Sequence, residues 1–399
     1  MKVGRWRTSK GPSRQVTAPA QGLYHDMLRA AVHAVALDDR SHLARVSPRL
    51  ADPSLACRLW DDELYWSHRS PLLIAHTFAE AEAAGALCLP NALLQRLRAL
   101  GEAGRRRNAQ FIAEAASVMS ALGPGAIPLK GVWLLKHDVY PRGSRLFGDL
   151  DFAVETTTAR ADVVAALADI GHAYREYSTR DHLAFERVVR GLTLYDGLPA
   201  LREPIPNFGP HYARIQQTFF VEVHYDIDTS RSFRRPFVFS AADRDDGAKH
   251  LVLLCHHLCK HEFAHTIGVV DIALMARSPL VDWSHLADLC RELGAAGVCA
   301  AAFGIVERCF GDDILPSEAA PFRRLRAFHG GRSLGLGPVL GPRPTPRGRW
   351  LSSRVSGSMR AAYRSSLKAM SPHIPHTFLL RRVHRRVRTA LARRRSPAP

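Results

Sequence analysis

The stretch "RLFGDLDFAV", residues 145–154, sets two carboxylates two positions apart within an apolar run. In a β-strand, residues i and i+2 point to the same side, so the pattern predicts Asp149 and Asp151 together on one face. The apolar residues between and after them would then point into the core. Neighbouring carboxylates raise one another's pKa unless cations neutralise them. The stretch therefore predicts a strand with a cation-binding acidic face.

Two further strands are predicted to lie beside this one. "AIPLKG", residues 126–131, is a short apolar strand that ends at Lys130 and Gly131 and precedes a segment with helical spacing. "TFFVEVHYDI", residues 218–227, alternates apolar and polar residues as a half-buried strand does. Within it, Glu222 and His224 share a face, so a third carboxylate is expected near the acidic pair.

Three converging carboxylates favour a divalent metal. Mg²⁺ takes hard oxygen ligands, usually one or two carboxylates together with substrate phosphates. Asp149, Asp151 and Glu222 therefore predict a platform for a metal-bound triphosphate.

Groups that bind phosphate are expected around this platform. Backbone amides at the Gly131 turn, where a helix begins, favour anions because of their free N–H groups and the helix dipole. Arg142 and Arg145 precede the acidic pair and are candidates to hold the outer phosphates. His224 is interpreted as a partner of Glu222 or a phosphate contact, with a core-capping role as the alternative.

The longer stretch "IPLKGVWLLKHDVYPRGSRLFGDLDFAV", residues 127–154, resembles a family signature. The signature is Leu-Lys-Gly, then Leu-Tyr-Pro, then Arg-x-x-x-Asp-hydrophobic-Asp. It belongs to the largely uncharacterised nucleotidyltransferase family of the polymerase-β-like superfamily. Similar segments before and after the motif extend the resemblance over residues 105–310, with agreement in order and spacing.

The resemblance implies an α+β fold, in which a small mixed β-sheet is flanked by N-terminal and C-terminal helical segments. It also implies two Mg²⁺ ions and a nucleoside triphosphate donor such as ATP. The reaction would transfer a nucleotidyl group to a hydroxyl of a small molecule, peptide or protein and release pyrophosphate.

Residue roles carried over by position follow from the same resemblance. Asp149 and Asp151 would hold the metals, and Glu222 would complete the site and help to deprotonate the acceptor. The residues expected to face the phosphates are Lys130, Gly131 and Arg145.

The sequence also departs from the wider superfamily pattern. That pattern has Gly or Ser after the motif glycine and a shorter spacing before the acidic pair. Here Val132 follows Gly131, 17 residues separate Gly131 from Asp149, and the third acid is Glu222 rather than Asp. These departures motivate an alternative hypothesis, a nucleotide-binding or regulatory module without turnover.

A remote alternative is a zinc hydrolase. "HEFAH", residues 261–265, matches the zinc-peptidase pattern, in which His261 and His265 bind the metal and Glu262 is the base. No third ligand stands out, and the series extends back to His257 on one helical face. The resemblance instead makes this helix a scaffold.

Composition predicts a folded globular protein, with 46% hydrophobic and 23% charged residues. The longest uncharged, mostly apolar runs, residues 115–129 and 293–306, are too short to span a bilayer.

Seven scattered cysteines indicate reduced thiols in a cytoplasmic protein. Cys255 and Cys259 are interpreted as buried helix residues, with a structural zinc site as the alternative.

The net charge of +18 comes from the C-terminal tail. Residues 319–399 hold 19 Lys and Arg and no acid, so the first 318 residues, with 36 basic and 37 acidic side chains, carry a charge of −1. "TFLLRRVHRRVRTALARRR", residues 377–395, combines an apolar stripe with eight Arg. It predicts an anionic partner, namely a membrane surface, nucleic acid or acidic protein. The alternative is a stripe packed on the protein's own body with solvated arginines.

The chain is therefore divided into five predicted regions. They are a disordered basic lead-in (1–22), an N-terminal helical region (23–125), the nucleotidyltransferase core (126–240), a second helical region (241–330), and a basic linker with an Arg-rich helical tail (331–399).

Overall fold

The computed structural model describes most of the predicted core and both helical regions. The described residues are 18–51, 71–141, 143–146, 148–175, 181–189, 218–227, 233–261 and 266–328. Within them, a mixed five-stranded sheet is preceded and followed by helices, which confirms the predicted α+β class. The predicted linker and Arg-rich tail lie outside the described residues.

The N-terminal region is helical, as its apolar periodicity predicts. Its helices are α1 (Ala18–Leu37), α2 (Ser41–Leu50), α3 (Pro71–Ala83) and α4 (Asn91–Leu122). The first helix begins earlier than predicted, inside the proposed lead-in. The longest, α4, buries Leu93, Leu97 and Leu100 along one side and ends before Gly123, whose φ is +80°.

The sheet has the order β1-β2-β5-β4-β3. Its strands are β1 (Ile127–Pro128), β2 (Leu150–Ala153), β3 (Ala173–Tyr174), β4 (His182–Val188) and β5 (Thr218–His224). Strands β2 and β5 run parallel, and the other neighbouring pairs are antiparallel. Helix α4 covers the sheet through Phe111, whose ring centroid lies 4.9 Å from that of Phe219 on β5.

The ends of two strands differ from the sequence-based prediction. Strand β1 stops at Pro128, and helix α5 (Lys130–Lys136) begins two residues later, so Lys130 opens a helix instead of ending a strand. Strand β2 begins at Leu150, and Asp149 therefore lies just before it. The backbone N–H of Leu129 donates to the Asp151 carbonyl at 2.8 Å, which holds this corner of the sheet together.

Helix α6 (Arg160–Asp169) follows the acidic strand. Val163 and Leu167 form its buried side, and Gly171 follows its end with φ +86°. Thr156, Thr157 and Thr158 precede the helix, but its N-cap residue is Ala159, which makes no side-chain cap hydrogen bond.

The C-terminal region contains α7 (Gly247–Lys260), α8 (Thr266–Met275), α9 (Trp283–Leu293), α10 (Ala296–Phe310) and α11 (Ala320–Phe328). Asp246 caps α7 by accepting from one backbone N–H, and Asp282 caps α9 by accepting from two. In the described part of the chain, no helix is long and apolar enough to cross a membrane. All six cysteines of that part are free.

Candidate functional site

Asp151 and Glu222 lie side by side on neighbouring parallel strands. They are register partners between β2 and β5, so the pairing of these strands brings the two carboxylates to one place. Asp151 is 2% exposed, whereas the Glu222 side chain is 29% exposed. The cluster thus has a buried acid at its base and an accessible acid at its rim.

Lys130 faces these carboxylates from the start of α5. Its Nζ donates to Asp151 Oδ1 at 2.6 Å, and its φ of +47° lies in the left-handed region. A residue with a side chain pays about 1–2 kcal/mol for that conformation, and such strain is concentrated at functional sites. The conformation sets the ammonium against the acidic face.

All three predicted carboxylates act on the Lys130 ammonium. Burial disfavours its charged form, but Asp151, Asp149 and Glu222 together outweigh burial and raise the pKa of Lys130. Lys130 is therefore a cation at neutral pH. Three carboxylates against one lysine leave this cluster with surplus negative charge.

The same contacts hold Asp151 in its ionised form. Burial opposes ionisation, but Lys130 and His224 prevail and lower the pKa of Asp151. His224 lies with Nε2 3.1 Å from Asp151 Oδ1, and burial lowers the pKa of this histidine. His224 is thus a neutral ring that contacts Asp151 directly and approaches Glu222 at 3.7 Å.

His182 is a member of the cluster that sequence reasoning missed. It opens β4, pairs in register with His224, and places Nε2 3.2 Å from Glu222 Oε2. Burial disfavours the charged Glu222, yet contact with His182 and the positive charge of Lys130 lower its pKa. No spacing in the sequence links His182 to Glu222; only the antiparallel pairing of β4 with β5 does.

The donor set is compatible with metal ions. The oxygens of Asp149, Asp151 and Glu222 are the hard ligands that Mg²⁺ prefers. In addition, ligand atoms of His182, Glu222 and His224 all lie within 4.8 Å of one another. The surplus negative charge and these donors are compatible with the two cations that the family resemblance implies.

Arg145 lies in a different environment from the one predicted. Its guanidinium makes a bidentate pair with Asp271, with Nε to Oδ1 and Nη2 to Oδ2 both at 2.8 Å. The Tyr140 hydroxyl donates to the same carboxylate at 2.7 Å. Burial disfavours the charged guanidinium, but Asp271 raises its pKa, with a smaller contribution from Asp149. Arg145 is thus bound to a buried carboxylate of α8, and its phosphate contact stays a prediction.

The remaining predicted residues fall partly outside the described chain. Gly131 is buried in the first turn of α5, and Arg142 is outside the described residues. In the zinc-peptidase pattern, His261 directly follows α7, whereas Glu262 and His265 are outside the described residues. The roles proposed for these residues stay predictions.

Comparison with known families finds a match that spans all five strands of the described sheet. The model of an uncharacterised nucleotidyltransferase family matches residues 58–311, which is more than half of the chain. The protein therefore belongs to this family of uncharacterised nucleotidyltransferases, and the family supports nucleotidyl transfer as its general chemistry. No curated protein and no solved structure matches the chain.

Proposed function

We propose that this protein is a Mg²⁺-dependent nucleotidyltransferase. It would move a nucleotidyl group from a nucleoside triphosphate such as ATP to a hydroxyl of a small molecule, peptide or protein. The observation that carries the proposal is the convergence of Asp149, Asp151 and Glu222 on the Lys130 ammonium. A cluster with this charge surplus gains by binding cations, and the family supplies the matching chemistry.

In the proposed reaction, the acceptor oxygen forms a bond to the α-phosphorus while the bond from that phosphorus to the β-phosphate bridging oxygen breaks. Pyrophosphate leaves, and the hydroxyl proton goes to Glu222. Glu222 suits this role because its lowered pKa keeps it ionised and its side chain is partly exposed.

The other residues bind and orient. Lys130 stays protonated and would shift part of its contact from Asp151 to the triphosphate. His224 and His182 would position Asp151 and Glu222 through the contacts described above. Two Mg²⁺ ions held by Asp149, Asp151 and Glu222 would neutralise the phosphates and polarise the α-phosphate.

The first test is calorimetric titration of each of the four ribonucleoside triphosphates into the full chain, with and without Mg²⁺. We expect Mg²⁺-dependent binding that is lost in the Asp149→Ala/Asp151→Ala variant. Asp288→Ala, which removes a 67% exposed carboxylate on α9, is the control and should bind as the wild type does. Binding that persists in the double variant would contradict the proposal.

Turnover separates this proposal from a nucleotide-binding module without catalysis. The triphosphate that binds is offered with pooled hydroxyl-bearing acceptors, and pyrophosphate release is measured. Release by the wild type and its loss in the double variant would support the transferase. Mg²⁺-dependent binding without release from any acceptor pool would favour the regulatory alternative, which Val132 and the long motif spacing motivate.

The predicted cytoplasmic location and the anionic partner of the Arg-rich tail are proposals as well. The six free cysteines agree with a reducing compartment. Removal of residues 376–399 should weaken binding to anionic vesicles, RNA or an acidic protein, and the partner that is lost identifies the ligand of the tail.

A further inference from the structure

A second group of metal-ligating side chains lies at the turn between α1 and α2, in a part of the chain that precedes the family match. It consists of His33 on α1, Asp39 in the turn, and His42 in the first turn of α2. Their side chains are 1%, 38% and 20% exposed, respectively. The rings of His33 and His42 lie 4.1 Å apart.

His33 presents a buried lone pair to this group. Its Nε2 lies 2.5 Å from the Phe310 carbonyl at the end of α10, and a carbonyl only accepts, so Nε2 carries the hydrogen. In the neutral ring, Nδ1 is then an acceptor. Nδ1 is buried and has no hydrogen-bond partner among the described residues. A buried acceptor left in this state is costly.

Asp39 does not satisfy that lone pair, because a carboxylate oxygen is itself an acceptor. Asp39 Oδ2 lies 3.9 Å from His33 Nδ1 and 4.0 Å from His42 Nε2, and both distances exceed a hydrogen bond. Two ligands of one tetrahedral Zn²⁺ ion lie about 3.4 Å apart, because each metal–ligand bond is about 2.0–2.2 Å long, so these two distances exceed the bound spacing by only about half an ångström. The three ligand atoms lie within 4.8 Å of one another, so small side-chain rotations bring them to one ion.

Hydrogen bonds to the outer atoms already orient two of the three ligands. The Ser41 backbone N–H donates to Asp39 Oδ1 at 2.9 Å, which leaves Oδ2 toward the histidines. The His33 ring donates its other nitrogen to a backbone carbonyl, which is the usual arrangement for a metal-ligating histidine. These hydrogen bonds therefore fix the orientation of Asp39 and His33.

The surrounding charges indicate the class of ion. Arg29 and Arg45 lie close enough to act electrostatically on His42, which disfavours a loosely held cation. The Arg29 guanidinium is turned to the Cys309 carbonyl, with contacts of 3.1 and 2.9 Å. An ion that forms strong bonds to imidazole nitrogen gains more here than Mg²⁺ does.

We propose that His33, Asp39 and His42 form a structural site for a divalent transition ion of the Zn²⁺ class. The bound ion would clamp the α1–α2 turn against the end of α10, because His33 contacts both. Solvent would complete the coordination sphere on the exposed side of Asp39.

The test is calorimetric titration of Zn²⁺ into the full chain in excess Mg²⁺, which competes for the carboxylates of the acidic cluster. Any Zn²⁺ that His182 and His224 bind there is the same in every variant below. His42→Ala and Asp39→Asn alter partly exposed side chains, and circular dichroism of the metal-free variants checks the fold. Removal of a group that only hydrogen-bonds to a metal ligand lowers metal affinity roughly 10–100-fold. Removal of a ligand itself should therefore raise the Kd of one Zn²⁺ site by about 100-fold in each variant. The Zn²⁺-dependent rise in melting temperature should fall with it.

His76→Ala is the matched control. Its side chain is 17% exposed and lies 3.2 Å from Glu80, so it shares the burial and acidic neighbour of His42 but offers no third ligand in the described groups. It should retain the full Zn²⁺ stoichiometry. Equal Zn²⁺ stoichiometry and affinity in the wild type, His42→Ala and Asp39→Asn would overturn the proposal, whatever becomes of nucleotide binding.

Discussion

Lys130–Asp151 and Arg145–Asp271 are two buried ion pairs from neighbouring parts of the chain, and they differ in charge balance. In the second pair, one guanidinium meets one carboxylate, both oxygens of Asp271 accept from it, and Tyr140 adds a third bond. In the first, one ammonium faces three carboxylates, of which Asp149 also acts on the already paired Arg145. The balanced pair needs no further partner, whereas the unbalanced cluster gains by binding cations.

This difference separates a structural role from a functional one. A buried pair contributes to stability only when its hydrogen bonds and charges are matched, because desolvation of the ions is costly. Arg145–Asp271 meets that condition and joins the segment before β2 to helix α8. The acidic cluster does not meet it, and it also contains the strained backbone of Lys130.

The largest expected effect follows from removing one carboxylate charge from each pair. Asp271→Asn leaves the buried Arg145 cation without its counter-charge and should lower the free energy of unfolding by about 3–5 kcal/mol. Asp151→Asn leaves Lys130 with Asp149 and Glu222 but weakens the charge-assisted contacts of Asp151, so we expect a smaller loss of about 1.5 kcal/mol. Urea unfolding measures both. Equal losses in the two variants would contradict the proposed difference between the structural Arg145–Asp271 pair and the acidic cluster.

A third buried cluster of ionisable side chains, formed by His172, Glu114 and Arg187, predicts how stability changes at acidic pH. His172 Nε2 lies 2.6 Å from Glu114 Oε1, Arg187 contacts the other oxygen, and burial lowers the pKa of His172 to about 4. The unfolded chain, with a histidine pKa near about 6.5, binds the proton first as pH falls. Above a pH of about 6.5, neutral His172 makes its full contribution to the free energy of unfolding. That contribution is lost as the pH falls toward the folded-state pKa of about 4.

This loss amounts to at most about 3 kcal/mol of the free energy of unfolding. His172→Gln should flatten the stability profile across that pH window. His285→Gln, which alters a 49% exposed ring, is the control for the substitution itself. An identical slope in the wild type and His172→Gln would show that the ring does not titrate as its burial implies.

A smaller effect is expected at the turn that leads into Arg145. Gly143 has φ +80°, and a Cβ there would lie 3.0 Å from the Arg105 Cα and closer still to the Arg105 side chain. Gly85 has φ +70° with nothing within 4 Å of the added atom, so Gly85→Ala reports backbone strain alone. We expect Gly143→Ala to cost about 2 kcal/mol more than Gly85→Ala in urea unfolding. Equal losses of unfolding free energy in the two variants would show that Arg105 moves aside at no energetic cost.

The smallest effect should come from His182→Gln. The substitution removes the ring that lies 3.2 Å from Glu222, so we expect about a tenfold fall in kcat, or about 1.4 kcal/mol, with nucleotide binding unchanged. The measurement requires the acceptor that the pyrophosphate assay identifies. His76→Gln serves as the control, and an unchanged kcat in His182→Gln would remove its positioning role.

Local patterns predicted much of the fold and the center of the site. The alternation in residues 218–227 correctly predicted β5 and placed Glu222 near the acidic strand, while the motif supplied Lys130 and Asp151. The ends of β1 and β2 were predicted less well, because strand ends depend on where backbone pairing stops and not on side-chain pattern. His182 was missed because β4 meets β5 only through the sheet topology.

By itself, the sequence determined the family, the α+β class and the identity of the acidic residues, because periodicity and short motifs are local properties. Only the tertiary structure decided which cation each carboxylate meets. Arg145 and Asp271 are 126 positions apart, and His33 meets the end of α10 across 277 positions. Such pairings depend on the path of the whole chain and on the burial that makes an unmatched charge costly.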